Sequence, residues 1–328
     1  MPDVDRPITT LFVGGGTPTL LPPQHLGRFL QAVKDEFGLV PGAEVTTEAN
    51  PESVAADDLA ALAEAGFTRV SFGMQSAVPS VLATLDRVHR PGRTLAAAAE
   101  AREAGFRHVN VDLIYGTPGE TPHDWSVSLD AAVASGADHV SAYALIVEDG
   151  TALAAKVRRG EVAMPDDDVL ADRYEVADAT LSSAGLAWYE VSNWARPGAE
   201  CRHNLVYWRS GDWIGIGPGA HSHIGGVRWW NVRHPAEYAR LLDADRWPAQ
   251  AREVLGPAEL GIERLMLGVR LAEGFAATDA PGPSLEAFAA EGLIDARRLR
   301  QGRVVATLSG RLLADRIARE LLDAAQER

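Results

Sequence analysis

Residues 104–112 read AGFRHVNVD, and in this stretch the end of an alanine-rich helix meets the start of a β-strand. Its glycine can adopt the left-handed conformation that ends helices, and a β-prone run follows within three residues. The same junction recurs at residues 65–72, 135–143 and 184–191. Because a crossover through a helix returns the chain in the same direction, this repetition predicts βα units in series and a parallel sheet.

The chain before these junctions follows the same pattern. Residues 8–13 are predicted to form a strand, residues 45–48 form another, and the helix between them places Leu26, Leu30 and Val33 on one face. A parallel sheet, open or closed into a barrel, is therefore expected from residue 8 onward.

The later part of the chain has a different texture. Residues 198–233 are rich in tryptophan and glycine, which predicts irregular structure covering a site. Residues 260–271, a segment ending at 291–292, residues 304–308 and a closing stretch predict helix, helix, short strand and helix, with Leu313, Ile317 and Leu321 on one stripe. We expect two domains: residues 1–240, containing the irregular segment, and a small winged-helix-like α module at 250–328.

Composition limits the kinds of partner. The formal net charge of -14 opposes attraction to nucleic acid and to anionic membrane surfaces, so the winged-helix-like module is interpreted as a packing or lid domain. The single cysteine, Cys201, excludes an intrachain disulfide and an all-cysteine metal site. No apolar stretch is long enough to span a bilayer, and the start lacks a signal-like core, which favours a cytoplasmic protein.

The glycine-rich stretch after the first strand is the first candidate site. Residues 14–19 read GGGTPT, and consecutive glycines let backbone amides converge on a carboxylate, a phosphate or an amino acid end. A tight turn explains the same residues equally well. The stretch matches neither the phosphate loop with its lysine nor the spaced glycines of a dinucleotide fold.

Polar residues follow at the ends of the next strands, where a β/α barrel gathers its active site. These are Glu48, Gln75 and Asp112. Asp112 lies between Val111 and Leu113, so its carboxyl should be buried and should need a partner. Ligand binding and a salt bridge inside the barrel are both open; the candidates for the bridge are Arg69, Arg87 and His108.

Five motifs in one order resemble the signature of radical S-adenosylmethionine enzymes related to oxygen-independent coproporphyrinogen III oxidase. They are GGGTPT at 14–19, TEANP at 47–51, FGMQS at 72–76, LDRVHR at 85–90 and NVDLIYGTPGET at 110–121. Residues 260–268 and 308–315 also look like the C-terminal part of that family. The resemblance implies a partial (β/α) barrel of the TIM type.

The same resemblance implies a cofactor site for S-adenosylmethionine. Gly15, Gly16 and Thr17 would hold its methionyl end. Its other polar groups would be contacted by Glu48, Gln75, Arg87 and Asp112. Carboxylate and amide acceptors suit the ammonium and hydroxyl groups of such a ligand.

One feature of the family is missing from this sequence. Its members carry a Cys-xxx-Cys-xx-Cys loop upstream of the triple glycine that binds a four-iron, four-sulfur cluster. Here no cysteine precedes Gly14, and Cys201 cannot replace three ligands. We therefore expect the cluster in full-length relatives only, and a chain that lacks its N-terminal strand and cysteine loop rather than a degenerate paralogue.

A last motif points to a branch within the family. Residues 201–208, CRHNLVYW, resemble the His-Asn-xx-Tyr-Trp motif of HemW-type haem chaperones, and GIGPGAHS at 215–222 is also similar to that branch. The resemblance implies that His203 ligates haem iron, whereas a lone histidine more often has a hydrogen-bonding structural role. The expected function is haem binding and delivery to an acceptor protein. The alternatives are an oxygen-independent coproporphyrinogen dehydrogenase and a cofactor-free winged-helix regulator.

Overall fold

The computed structural model describes residues 7–87, 89–90, 92–164, 166–280 and 282–326. Backbone contacts divide the chain into two compact units, Val4–His203 and Asn204–Arg328. Among the described residues, no helix is long and apolar enough to cross a membrane.

The first unit is a seven-stranded sheet with strand order β1-β2-β3-β4-β5-β7-β6. Its strands are β1 (Ile8–Val13), β2 (Leu39–Ala49), β3 (Arg69–Gln75), β4 (His108–Tyr115), β5 (His139–Ala144), β6 (Ala187–Glu190) and β7 (Asn193–Ala195). Its helices are α1 (Pro23–Phe37), α2 (Ala56–Ala65), α3 (Pro79–Thr84), α4 (Arg93–Glu103), α5 (Pro122–Ala134), α6 (Ala152–Arg158) and α7 (Asp167–Ser183). Strands β1 to β5 are parallel, which confirms the predicted α/β class.

The repeated junctions form as the sequence predicts. Gly66, Gly105, Gly136 and Gly185 each follow a helix, with φ angles of 112°, 98°, 68° and 82°. These values lie in the region that side-chain-bearing residues avoid, so glycine is what lets each helix end and the next strand begin.

The fourth junction leads to a different pairing from the one expected of βα units in series. Strand β6 follows Gly185, but β7 inserts between it and β5 and is antiparallel to both. The chain reverses at Val191 and Ser192, so β7 forms a hairpin with β6 and takes the place beside β5. Alternation of apolar residues marks the strands, but it does not state which strand pairs with which.

The two faces of the sheet differ in chemistry. Val70 and Phe72 in β3 and Val111 and Leu113 in β4 are fully or almost fully buried on the face that packs against α4 and α5. The opposite face carries polar side chains at the alternate positions of the same strands: Arg69 and Ser71 in β3, and Asn110 and Asp112 in β4. This polar face is where functional groups can gather.

The second unit begins within the tryptophan- and glycine-rich segment. Helix α8 (Arg202–Trp208) crosses the division, and β8 (His221–Ile224), β9 (Val227–Asn231) and β10 (Ala249–Val254) form an antiparallel sheet, with α9 (Pro235–Asp243) between β9 and β10. The prediction of irregular structure at 198–233 is therefore wrong in part. The turn Gly225-Gly226, with φ of 58° and 81°, closes a hairpin there.

The C-terminal module is largely helical, and it has a core of its own. Its elements are α10 (Pro257–Gly268), β11 (Phe275–Ala276), α11 (Gly282–Ala290), α12 (Ala296–Arg300), β12 (Arg303–Val304), α13 (Leu308–Leu312) and α14 (Ala314–Gln326). Ile317 and Leu321 are buried in this core as expected, but Leu313 is exposed because it ends α13 rather than lying within α14. The strand expected at 304–308 is only two residues long; the domain boundary near 240–250 stays a prediction.

Replacing Gly105 by alanine should lower the free energy of unfolding by about 1–2 kcal/mol, because alanine is strained at this positive φ. No atom would clash with the added methyl group, so the effect reports the backbone alone. Gly261, inside α10 and equally open, is the matched control: Gly261→Ala should stabilise by up to about 1 kcal/mol. Urea denaturation measures both, and equal signs would contradict the junction argument.

Candidate functional site

The glycine triplet lies directly after β1, beside the carboxyl end of β2. The backbone N–H of Gly15 donates to the carboxylate of Glu48 at 3.0 Å, so the predicted loop and the predicted acidic residue meet. A methyl group on Gly14 would lie 2.6 Å from the Phe12 ring and 3.1 Å from the Glu48 carboxyl carbon. Glycine is therefore required at position 14 for this loop to lie so close to Glu48.

Asp112 is held on the polar face of β4 by neutral donors. One carboxylate oxygen accepts from the Ser71 hydroxyl at 2.7 Å, and the other accepts from the Asn110 amide at 2.7 Å. The salt bridges considered from sequence are not formed among the described residues, because Arg69 pairs with Glu44 and His108 pairs with Asp138. Asp112 is thus half-buried, and no residue in the described part of the chain forms an ion pair with it.

Glu48 and Asp112 are close enough to influence each other's ionisation. Burial raises the pKa of Asp112, opposed by hydrogen bonds from Ser71, Ser141 and Asn110. Burial also raises the pKa of Glu48; the Gly15 N–H opposes this rise and the charge of Asp112 adds to it. Two carboxyls that repel each other in a partly desolvated site favour a cationic or hydrogen-bond-donating ligand between them.

The remaining predicted residues are placed less uniformly. Gln75 ends β3 with φ of 65°, an unusual conformation for a residue with a side chain, and its amide lies over Gly73, the strand neighbour of Asp112. Thr17 is half-buried and begins a short 3-10 turn. Arg87 is exposed after α3, and no hydrogen bond or ion pair joins it to another residue of the predicted site in the described part of the chain. Their roles stay predictions.

A second cluster, which the sequence did not reveal, lies on the same polar face. Glu44 and Arg69 are both almost fully buried, and their side chains approach to 3.5 Å. Arg69 donates to the carbonyl of Ala199 at 2.7 Å, and Glu44 accepts from the backbone N–H of His203 at 2.9 Å and from the Cys201 thiol at 3.6 Å. A buried ion pair thus fixes residues 199–203 onto the sheet. The sequence did contain one signal for Glu44. It lies two positions before Thr46 and four before Glu48, so all three side chains point to the same face of β2.

His203 is fixed by this cluster and by β1. Its Nδ1 lies 2.9 Å from the Thr10 hydroxyl oxygen, and its ring stacks on Phe12 with centroids 5.4 Å apart. Burial lowers the pKa of His203, against the charge of Glu44, so the ring is held neutral near pH 7. A neutral imidazole with one nitrogen oriented by a second group is the form in which histidine ligates metals.

Glu120, from the motif that follows β4, is a third buried carboxyl. Its side chain is 1% exposed, accepts from the Gly116 N–H at 2.8 Å and lies 3.9 Å from Nε of Arg173 in α7. Burial raises the pKa of Glu120 to about 7, opposed by the Gly116 N–H and Arg173. The carboxyl holds the loop after β4 in place.

Comparison with known proteins identifies relatives of this chain. A sequence profile of the radical SAM superfamily matches residues 3–132. A Mycobacterium tuberculosis protein named heme chaperone HemW is 57% identical over 323 residues, which cover 97% of this chain and 82% of that protein.

This chain belongs to the HemW family of radical SAM proteins.

Other relatives show how far the family likeness extends. The Bacillus subtilis heme chaperone HemW is 34% identical over 81% of this chain and 71% of its own length. The structure of Escherichia coli coproporphyrinogen III oxidase (HemN), described as a radical SAM enzyme, superposes with a TM-score of 0.83 over 97% of this chain and 78% of that chain, at 23% identity. The fold is thus that of HemN, which confirms the predicted partial barrel of the radical SAM type.

The residues present in this HemW-family chain fit S-adenosylmethionine better than they fit an iron–sulfur cluster. The glycine cradle and the carboxylates of Glu48 and Asp112 provide donors and acceptors for S-adenosylmethionine. An iron–sulfur cluster needs several thiolates, but the sole cysteine is buried against Glu44, and the described residues contain no group of three metal-ligating side chains.

We expect Glu44→Ala to lower the free energy of unfolding by about 3–5 kcal/mol, because it leaves Arg69 buried without its carboxylate. Glu52 pairs with a largely exposed Arg90, so Glu52→Ala should cost at most about 1 kcal/mol. Urea denaturation of both variants measures the difference, and equal losses would refute the anchoring role of Glu44.

Glu120 should make stability depend on pH. The native carboxyl keeps its proton up to about pH 7, whereas the unfolded one has the ordinary value of 4.5, so its contribution is present at low pH and is lost as pH rises through this window. The loss should be about 1–3 kcal/mol between pH 5 and pH 8. Glu120→Gln should flatten this part of the profile; an unchanged slope in denaturation curves would contradict the assignment.

Proposed function

We propose that this protein binds haem and S-adenosylmethionine and delivers haem to acceptor proteins. The observation that carries the proposal is 57% identity, along nearly the whole chain, to a relative named heme chaperone HemW. The motif of residues 201–208 and the buried anchoring of His203 support haem binding by this chain. The cytoplasmic location expected from composition belongs to the same proposal.

The proposed binding of S-adenosylmethionine uses the carboxyl ends of β1 to β4. Backbone N–H groups of the glycine triplet would donate hydrogen bonds to the carboxylate of the ligand, with Thr17 beside them. Glu48 and Asp112 would accept hydrogen bonds from its ammonium and ribose hydroxyl groups, and Gln75 and Arg87 would contact its remaining polar groups. When bound, the sulfonium supplies a positive charge that offsets the repulsion between the two carboxylates.

The proposed haem ligand is His203. Because Nδ1 is engaged with Thr10, the iron would be ligated through Nε2. The low pKa keeps the ring ready to ligate near pH 7, and the anchoring of residues 199–203 fixes its position. The residues of this chain do not fit an iron–sulfur cluster, and the function proposed for them is haem binding and delivery.

Asp112→Asn should weaken S-adenosylmethionine binding roughly tenfold to hundredfold, because an acceptor of a charge-assisted hydrogen bond is lost while the shape is kept. Asp130, exposed on α5, supplies the control Asp130→Asn, which should bind as the wild type does. Wild-type affinity should increase with pH above the ordinary titration range of carboxyl groups, because the pKa values of Glu48 and Asp112 are both raised and both groups must ionise. Calorimetric titration measures all three; an unaffected Asp112→Asn would contradict the site.

His203→Ala should reduce haem affinity at least tenfold and shift the Soret band, because the iron loses its protein ligand. His221→Ala is the control, because this imidazole is exposed and stacks on Trp230. Absorbance titration with haem measures both variants. Unchanged spectra and affinity in His203→Ala would show that another group ligates the iron.

The alternative function, oxidative decarboxylation of coproporphyrinogen III, rests only on the shared fold with HemN. It predicts porphyrinogen turnover without haem binding. Product formation from coproporphyrinogen III, together with a flat haem titration of the wild type, would reverse the proposal.

A further inference from the structure

Strand β10 forms an open edge of the three-stranded sheet in the second unit. The strand order is β10-β9-β8, and five of the six residues of β10, from Gln250 to Val254, are exposed. The opposite edge of the same sheet is closed, because His223 of β8 exchanges two backbone hydrogen bonds with Trp213. Within the described residues, β10 has a strand neighbour on one side only.

The register shows which backbone groups of β10 face outward. Because His223 points its N–H and C=O toward Trp213, its neighbours Ser222 and Ile224 point theirs toward β9. Alternation along β9 then directs Arg228 and Trp230 toward β10, where they pair with Glu253 and Ala251. The N–H and C=O groups of Arg252 and Val254 therefore point away from the sheet, spaced as a further strand requires.

An apolar groove of about 590 Å³ lies beside this edge. It is lined in part by Val227, Trp229, Trp247 and Arg252, and the two indole rings are 6.4 Å apart between centroids. Trp247 is 49% exposed and Val254, the last residue of β10, is 71% exposed. Side chains of alternate residues on an added strand would reach this groove.

The two faces of β10 carry different charges. Glu253 points to the face of Arg228 and is paired with it at 2.7 Å, whereas Arg252 lies on the face of Trp229. No ion pair joins Arg252 to a residue in the described part of the chain. A ligand strand on the groove side would thus meet apolar surface and one positive charge.

We propose that β10 docks an extended segment of a partner polypeptide by strand addition, with apolar residues at alternate positions and an acidic residue opposite Arg252. Backbone donors and acceptors at strand spacing are matched by another backbone, and the groove selects its side chains. A second copy of this chain fits less well: pairing centred on Arg252 or on Glu253 would set like charges opposite each other. The inference uses residues 213–254 alone and does not depend on haem or S-adenosylmethionine binding.

The test uses the whole protein and the acetylated, amidated peptide TITDTIT, whose Ile-Asp-Ile face matches the groove and Arg252. Calorimetry should detect binding, and amide hydrogen exchange at Arg252 and Val254 should slow when the peptide is bound. Arg252→Pro removes one outward N–H without touching the ladder to β9, and it should weaken binding at least tenfold. Arg252→Ala keeps the N–H and loses the charge, so it should weaken binding less.

Several results of these experiments would overturn the proposal. Absence of binding, or equal affinity for the wild type and Arg252→Pro with both variants folded by circular dichroism, would show that the edge does not add a strand. Light scattering provides the remaining arm: a dimer that is lost in Arg252→Pro would make a second copy the occupant. The peptide TITKTIT, with lysine in place of aspartate, should bind more weakly than TITDTIT because its lysine repels Arg252, and equal binding would contradict the acidic residue proposed opposite Arg252.

Discussion

The arrangement of the first unit depends on how buried charge is satisfied on one face of a parallel sheet. Glu44 and Arg69 are buried together, and the cost of removing both from water is offset by their attraction and by hydrogen bonds with backbone groups. Those backbone groups belong to residues 199–203, more than 120 residues further along the chain. The ion pair therefore fixes a distant segment, and His203 with it.

The carboxyl groups of Glu48 and Asp112, on the same face of the sheet, have different partners from that of Glu44. Glu44 and Glu48 lie four residues apart on β2 and so point to the same side of the sheet. Glu44 is paired with Arg69, whereas Glu48 accepts a hydrogen bond from the Gly15 N–H and is repelled by Asp112. Asp112 is held by a hydroxyl and an amide and has no ion-pair partner in the described part of the chain. One end of the sheet is thus internally neutralised, whereas the other retains acidic groups that a positively charged ligand would complete.

The chain shares its family with the HemW relatives and its fold with HemN. The likeness to the HemW relatives extends along most of the chain, and the likeness to HemN shows that the fold is shared with an enzyme of known chemistry. The described residues provide carboxylate acceptors and an oriented imidazole, and they contain no group of three metal-ligating side chains. The open edge of β10 adds a surface to which such a protein could recruit a polypeptide.

The sequence by itself determined the serial βα units, the junction glycines and the glycine turn that follows β1, because all of these follow from local periodicity and backbone preference. Only the tertiary structure decided that Arg69 pairs with Glu44 rather than Asp112, and that β7 lies between β5 and β6. It also decided that β10 pairs with β9 and, among the described residues, has no strand on its other side. These features depend on contacts between residues that are far apart in the sequence. A local pattern of apolar and polar residues does not specify which distant residue or strand will be the partner.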